Sequence, residues 1–233
     1  LAIALAGVSS DLLDELRQAA LAAGSRRLAL VGGAVRDGLL HRQQHRTWTG
    51  VTDLDLVVEG DASAVASALK QRCGPNRLTR CLEHASFATV ALTLDGLAVD
   101  LATARAETYP TPADNPVVRP GSLESDLVRR DFTINAMALD LLSGELIDRF
   151  DGRVHLAEHK LVFLHQGSVA DDPTRLIRAA RYGARLGFDL SPDALDQVQS
   201  TIARWPWPWH PGDQADQFPP ALSTRLRMEL DRL

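Results

Sequence analysis

"VTDLDLVVEG", residues 51–60, sets Asp53 and Asp55 two positions apart inside an apolar run. Alternation of this kind has the period of a β-strand, in which side chains i and i+2 share one face about 6–7 Å apart. Leu54 and Leu56 then point the other way, into a core. A carboxylate is costly to strip of water unless it gains a partner. Either the acid face is wet and the two aspartates are bystanders, or they hold something positive. Two carboxylates at this spacing can share one divalent cation and contact a second, as two-metal phosphoryl-transfer sites require.

The surrounding pattern alternates strands with helices. "RRLALV" (26–31) reads as a short buried strand, Gly32-Gly33 as a turn and "AVRDGLL" as the start of a helix. "DLLDELRQAALAA" (11–23) has helical apolar spacing after a Ser-Asp cap and stops at Gly24. "DASAVASALKQRC" reads as a further helix, and "FATVALTLDGLAVDLATAR" as a hairpin about Asp95-Gly96. Residues 108–122 hold four prolines and are expected to form a mobile loop. "LESDLVRRDFTINAMALDL" reads as helix-rich and "LDLLSGELIDRF" as strand–turn–strand about Ser143-Gly144. From about Val169 only helices are expected, one of them capped by Ser191 with Pro192 in its first turn. A boundary between residues 150 and 170 thus separates a mixed head from a helical second part. "WPWPWHPGDQADQFPP" (205–220) reads as a Trp/Pro-rich loop of low regularity that packs on the second part.

Bulk properties narrow the class. The 233 residues are 45% apolar and 24% charged with net charge −5, which suits a globular chain and argues against one that coats nucleic acid wholesale. A local basic groove is compatible with that sum. Cys73 and Cys81 have no metal-type spacing and read as reduced thiols of a cytoplasmic protein. "LAIALAGV" is far short of the ~20 residues of a membrane span, and no basic stretch precedes it, so neither a span nor a signal peptide is expected. The chain lacks an initiator Met and stops within the helix-like "STRLRMELDRL", so a fragment is expected.

Several other stretches carry chemistry. Gly32 and Gly33 lack Cβ, so a phosphate can approach the amides at the start of the following helix; the plain alternative is a turn. Arg36 lies one turn in, as a second anion contact or an exposed helix arginine, with Asp37 placed to orient it. Asp100, at a strand end, is a third acid that a neighbouring strand would bring beside the pair as a general base, or else a surface acid. Arg130 and Asp131, after Arg129 and ahead of an apolar helix, suit a phosphate and a ribose hydroxyl, or a helix cap with an ion pair.

In "DDPTRLIRAARYGAR", Asp172, Arg175, Arg178 and Arg181 step by three along one helix flank. Asp172 only accepts hydrogen bonds and Arg175 only donates them. Cytosine and adenine each present an amino donor beside a ring-nitrogen acceptor and match that pair. Guanine and uracil present a carbonyl beside an N–H and clash with it, at ~1–3 kcal/mol per bidentate mismatch.

Together "GGAVRD", "DLDLVV", "GSLESDLVRRDFTINAMA" and "DDPTRLIRAARYGARLGF" resemble the class II tRNA nucleotidyltransferase/poly(A) polymerase family, of the DNA-polymerase-β-like nucleotidyltransferase superfamily. The resemblance runs from about residue 28 to 190, then thinly through "STRLRMEL". It implies an α+β fold: a head with a mixed sheet flanked by helices (1–160), then an all-helical, base-selecting neck (161–233), without the family's tRNA-gripping body and tail. By motif, Asp53 and Asp55 would bind catalytic Mg²⁺ ions in a two-metal site, with Asp100 as the third acid. Gly32, Gly33 and Arg36 would contact phosphate, and Arg130 and Asp131 the ribose side. Asp172 and Arg175 would select the base, and Arg178 and Arg181 would add nucleotide contacts.

The implied activity is template-independent addition of C and/or A, from CTP and ATP, to the 3′ end of tRNA. The RNA 3′-hydroxyl would attack the α-phosphate, expelling pyrophosphate. CCA, A-only, CC-only or poly(A) products stay open, the Pro-rich segment resembling enzymes able to add the terminal A. A non-catalytic RNA- or nucleotide-binding module is the alternative of another class. Asp171 stands where the family usually has Glu, and "HRQQHRTWTG" (41–50) is a longish insert before the acid strand.

Overall fold

The computed structural model describes residues 5–44, 50–84, 88–214 and 218–232. Its centre is a seven-stranded mixed sheet. The acid stretch is β2 (Asp53–Glu59), antiparallel to β1 (Arg27–Val31) on one side and parallel to β5 (Leu97–Thr103) on the other. The hairpin at Asp95-Gly96, both with positive φ, joins β4 (Thr89–Leu94) to β5, and β3 (Leu78–His84) forms the edge beyond β4. On the other side β8 (Met137–Asp140) pairs with β1 and β9 (Leu146–Asp148) closes the sheet.

Both faces of the sheet are covered. Leu28, Leu30, Leu54, Leu56 and Val58 join the main core, against α1 (Ser10–Ala22) and α3 (Ala62–Arg77). Ala29, Val31 and Val57 face a smaller cluster with Leu123 and Leu127 of α4 (Leu123–Val128). Asp53 and Asp55 share the Val57 face by alternation, so the apolar half of β2 anchors the strand while the acids emerge at its open beginning. Ser9 caps α1 by accepting from Leu12 N at 3.1 Å, and Gly24 at φ +68 ends the segment.

Three local differences from the sequence reading have physical reasons. The Pro-rich segment forms a ribbon, β6 (Arg105–Thr108) antiparallel to β7 (Val117–Pro120), flanking a turn rather than one continuous loop. Proline is tolerated there because the ribbon is two-stranded and Pro120 ends its strand. No long helix follows "RRD": α4 precedes it, a 3-10 turn (Thr133–Asn135) comes after, and β8 begins at Met137. α3 runs on past Cys73 to Arg77 across a kink at Gly74-Pro75.

After α5 (Gly152–Ala157), a two-residue strand β10 (Lys160–Leu161) pairs in parallel with β11 (Asp189–Leu190), an extended piece within the part expected to be helices only. The rest of that part is helical: α6 (Ser168–Asp171), α7 (Thr174–Leu186), α8 (Pro192–Arg204) and α9 (Pro220–Leu230). The Trp-rich segment packs on these helices. Trp207 is buried and donates to Ala170 O of α6 at 3.0 Å, while Trp209 meets Phe218 with ring centres 4.9 Å apart. Residues 45–49 of the long insert, and 1–4 of the apolar start, lie outside the described residues. Cys73 and Cys81 are free thiols, and among the described residues no helix is long and apolar enough to cross a membrane.

Candidate active site

The site starts where β1 ends. Gly32 has φ +69, a left-handed conformation that favours glycine, and it turns the chain into α2 (Gly33–Gln44). A Cβ on Gly32 would lie 3.6 Å from Arg130 Nη1 and 3.7 Å from Asp55 Oδ2. The diglycine turn, the acid strand and the "RRD" arginine therefore meet at one point. Asp100 is paired in register with Asp55 across the parallel strands. Burial at the cleft floor, the neighbouring charge of Asp53 and, more weakly, Asp100 push the Asp55 carboxyl up, while Arg130 pulls it down. Asp55 is exposed to solvent, so this upward push is partly screened. A crowded acid pair of this kind gains from a cation. Among the described residues no three His, Cys, Asp or Glu side chains gather into a metal-holding group.

The basic groups are held by buried acids. Asp126 is fully buried and accepts from Arg129 Nε at 3.0 Å, Arg129 Nη2 at 2.7 Å and Arg130 Nη2 at 3.0 Å. Arg129 also pairs with Glu107 at 3.2 Å. Burial and then Glu107 push the Tyr109 hydroxyl up to about 12, so it stays protonated and donates to Glu107 at 3.2 Å. Asp131 accepts from Phe132 N and Asn135 Nδ2, and Asn135 Oδ1 accepts from Arg36 Nη1 at 2.6 Å.

Arg36 is only 1% exposed, clamped by Asp37 at 2.8 and 3.1 Å, and lies over the Tyr182 ring at 5.2 Å. It braces α2 against α7 through these contacts rather than standing free on a helix surface. Asp37 orients it, as its position one residue on suggested.

At the far end α6 and α7 deliver the base-facing candidates. Asp172 Oδ1 accepts from Thr174 N at 3.1 Å and Thr174 Oγ1 at 2.6 Å, while Oδ2 lies 3.7 Å from Arg178 Nη2. Arg175 is 2% exposed; Nη1 donates to Ser168 Oγ at 2.7 Å and Nη2 to the Arg129 carbonyl at 2.8 Å. Its Nε is buried without a partner among the described residues. The side chains of Asp172 and Arg175, 4% and 2% exposed, are thus oriented by other protein groups and not by each other.

Gly32, Gly33, Asp55, Arg130, Asp131, Asp172, Arg175 and Arg178 line one cleft of about 690 Å³, walled by Tyr109 and Asn115 of the ribbon segment. That volume lies within the usual range of small-molecule sites. Asp53 and Arg36 line an adjoining cavity of about 420 Å³ that shares Gly33, Asp55 and Tyr182 with the first. Asp100 and Arg181 line neither.

Arg181 turns instead to α9, where its Nη2 donates to Glu229 at 2.9 Å; Arg178 Nε donates to the same carboxylate at 3.0 Å. Glu229 is 3% exposed and had no signal in the sequence, because Arg178 and Arg181, which it joins, lie some fifty residues away. Asn135, Tyr182 and Asp126 were also unmarked: each sits inside a quoted motif but shows its role only through tertiary contacts. Glu229→Gln is expected to destabilise the chain by roughly 2–3 kcal/mol in urea unfolding. That is below the ~3–5 kcal/mol of a fully buried pair, because both arginines stay partly open.

Residues 28–162 match the family described as the Poly A polymerase head domain. The chain is 44% identical over 168 residues to the A-adding tRNA nucleotidyltransferase of Aquifex aeolicus, covering 71% of this chain and 19% of that protein. It is 42% identical over 180 residues to the CC-adding tRNA nucleotidyltransferase of Deinococcus radiodurans, covering 76% and 45%. Among solved structures it resembles a CCA-adding enzyme in an apo form, with TM-score 0.77 and 31% identity over 97% of this chain and 49% of that one. It also resembles a tRNA nucleotidyltransferase complexed with a primer tRNA and an incoming ATP analog, with TM-score 0.71 and 33% identity over 93% and 55%. The chain spans less than half the length of either curated relative. Nucleotidyltransferases of this family generally use divalent metals. With this head domain, these relatives and an α+β fold shared with solved members, the chain belongs to the class II CCA-adding enzyme/poly(A) polymerase family.

Proposed function

We propose that this chain is the catalytic and nucleotide-selecting part of a template-independent enzyme that adds C, A or both, from CTP and ATP, to the 3′ end of tRNA. Residues 1–160 act as the head and 161–233 as the base-selecting neck. The observation that carries the reading is the single cleft lined by Asp55, Gly32 and Arg130 together with Asp172 and Arg175. Acidic, phosphate-approachable and base-reading groups on one cavity wall suit one nucleoside triphosphate held among them. The names of the relatives, A-adding and CC-adding, agree with this choice of bases.

Mg²⁺ is the metal we assign to Asp53 and Asp55. Two carboxylates fit its habit of taking one or two protein acids and filling its other positions with water and phosphate oxygens. Bound there, Mg²⁺ ions supply activation of the RNA 3′-hydroxyl and neutralise charge on the departing pyrophosphate. The chain's own residues do the positioning. Gly32, Gly33 and the start of α2 present amides to phosphate. Arg130, anchored by Asp126, offers a cation beside Asp55, and Asp131 offers an acceptor for a ribose hydroxyl. Asp172 accepts and Arg175 donates at the base edge. The RNA 3′-oxygen bonds to the α-phosphorus while the hydroxyl proton passes to an acid such as Asp53 or Asp55. The bond from the α-phosphorus to the bridging oxygen breaks, releasing pyrophosphate. The free thiols support a cytoplasmic setting.

The test is incubation of the complete protein with tRNAs ending before CC, before A, and after CCA, each with a single nucleotide. Incorporation of C or A and not of G or U is the expected outcome, and the accepted tRNA end identifies the product. Binding without any incorporation would replace the enzyme with a non-catalytic module.

A further inference from the structure

We propose that His165, which the reading above does not use, is a positioning residue for Arg175: the neutral imidazole helps keep the guanidinium in its base-reading place, and its protonation displaces that guanidinium and loosens the choice of base. The inference rests on the function proposed above. His165 Nε2 lies 3.5 Å from Arg175 Nη1 and 3.8 Å from Asp171 Oδ2. Nη1 is already directed by Ser168 Oγ at 2.7 Å and by the Ser168 carbonyl at 3.3 Å. The guanidinium therefore sits in a corner made by the 165–168 turn, with the imidazole as one wall.

A neutral ring with its lone pair on Nε2 faces the Nη1 donor and suits that wall. The contact is long for a hydrogen bond, so its importance lies in charge rather than in bond strength. A proton on Nε2 would set a second cation against a guanidinium that is 2% exposed, and the ring's own solvent contact and Asp171 screen the two only in part. The ring's backbone is tied in place. The His165 carbonyl accepts from Ser168 N at 3.1 Å and from Gln197 Nε2 at 3.1 Å. The repulsion displaces the Arg175 guanidinium against its other anchors, the Ser168 hydroxyl and carbonyl and the Arg129 carbonyl.

The charged groups bearing on the ring are Arg175 from α7 and Asp171 from α6; α8 contributes the neutral amide of Gln197. Burial and then Arg175 hold the imidazole below its ordinary range, and Asp171 opposes them. Burial likewise pushes the Asp171 carboxyl up, against His165 and Arg175. The neutral ring thus prevails at pH 7.5 and gains its proton on acidification below the ordinary histidine value of about 6.5.

The experiment is the ratio of CTP or ATP incorporation to GTP or UTP incorporation, in competition on one tRNA, at pH 7.5 and pH 5.5. Rate losses common to all nucleotides cancel in that ratio. In the wild type we expect selectivity to fall about tenfold on acidification. In His165→Asn, and in His165→Gln as a second variant should the first fail to fold, the ratio is expected to be the same at both pH values. A wild-type ratio that does not change, or a fall of the same size in both variants, overturns the role of His165 while leaving the proposed function intact. The second of these results would transfer the effect to another group such as Asp171. No incorporation of any nucleotide at either pH would overturn the proposed function and this inference with it.

Discussion

Asp55→Asn is expected to abolish nucleotide transfer by at least about a thousandfold, while CTP and ATP still bind and the metal-free protein becomes slightly more stable. The first effect follows from the loss of charge at the cleft floor. Metal-borne stabilisation of a phosphoryl-transfer transition state is worth several kcal/mol, and ~4 kcal/mol corresponds to about a thousandfold. The second follows because the base-reading residues Asp172 and Arg175 are held by Thr174, Ser168 and the Arg129 carbonyl, none of which touches Asp55 in those bonds.

The third effect depends on the direction of the Asp55 shift. Its carboxyl is raised in the folded protein by burial and by Asp53, so the native state holds the proton more tightly than the unfolded chain does. Stability from this residue is then present below the ordinary carboxylate range and is lost as pH rises through the folded value. At neutral pH the ionised Asp55 costs stability, and the amide removes that cost. Solvent contact keeps the gain below about 1 kcal/mol, or roughly 2–4 °C in a chain of this size. Thermal unfolding in chelator at pH 7.5 checks it. Added Mg²⁺ is expected to protect the wild type and not the variant; equal protection of both would remove Asp55 from the metal site.

Arg175→Ala is expected to cost selectivity more than affinity. A bidentate base contact discriminates by ~1–3 kcal/mol, so preference for C and A over G and U should fall about 5- to 150-fold. The same substitution removes a donor to Ser168 and to the Arg129 carbonyl, so some loss of stability accompanies it. Competition between nucleotides separates the two effects, because an enzyme that is merely less stable chooses its base as before. Unchanged preference would dismiss Arg175 as the base-reading donor.

The parts of this molecule legible in the sequence are those set by local period and turn chemistry. β2 announced itself by Leu54, Leu56 and Val58 alternating with acids, and the β4–β5 hairpin by Asp95-Gly96. β3 did not, because it is an edge strand whose Arg80, Glu83 and His84 leave only one buried position, Leu78. The ribbon β6–β7 hid behind its prolines. The candidate site was legible as a set of residue types, and much less so in the direction each side chain takes. Arg36 and Arg178 both occupy first-choice positions for an anion contact. Arg36 is nevertheless buried by Asp37, Asn135 and Tyr182, and Arg178 shares Glu229 with Arg181. Those partners lie on other elements, and spacing along one helix carries no information about them. The stripe of arginines is thus divided: Arg175 faces the cleft, Arg178 spans cleft and α9, and Arg181 lies over the Tyr182 ring and reaches α9.

The central claim is that one nucleotide lies between the acid pair and the head of α7. The most direct measurement is a crystal structure with Mn²⁺ and a non-hydrolysable CTP analogue, with the metal located by its anomalous signal. We expect Mn²⁺ within coordination distance, about 2.0–2.3 Å, of Asp53 and Asp55 oxygens. In the same molecule the cytosine edge should lie within hydrogen-bond distance of Asp172 and Arg175. A metal signal away from the acid pair, or a cytosine directed out of the cleft while the phosphates remain bound, would contradict it.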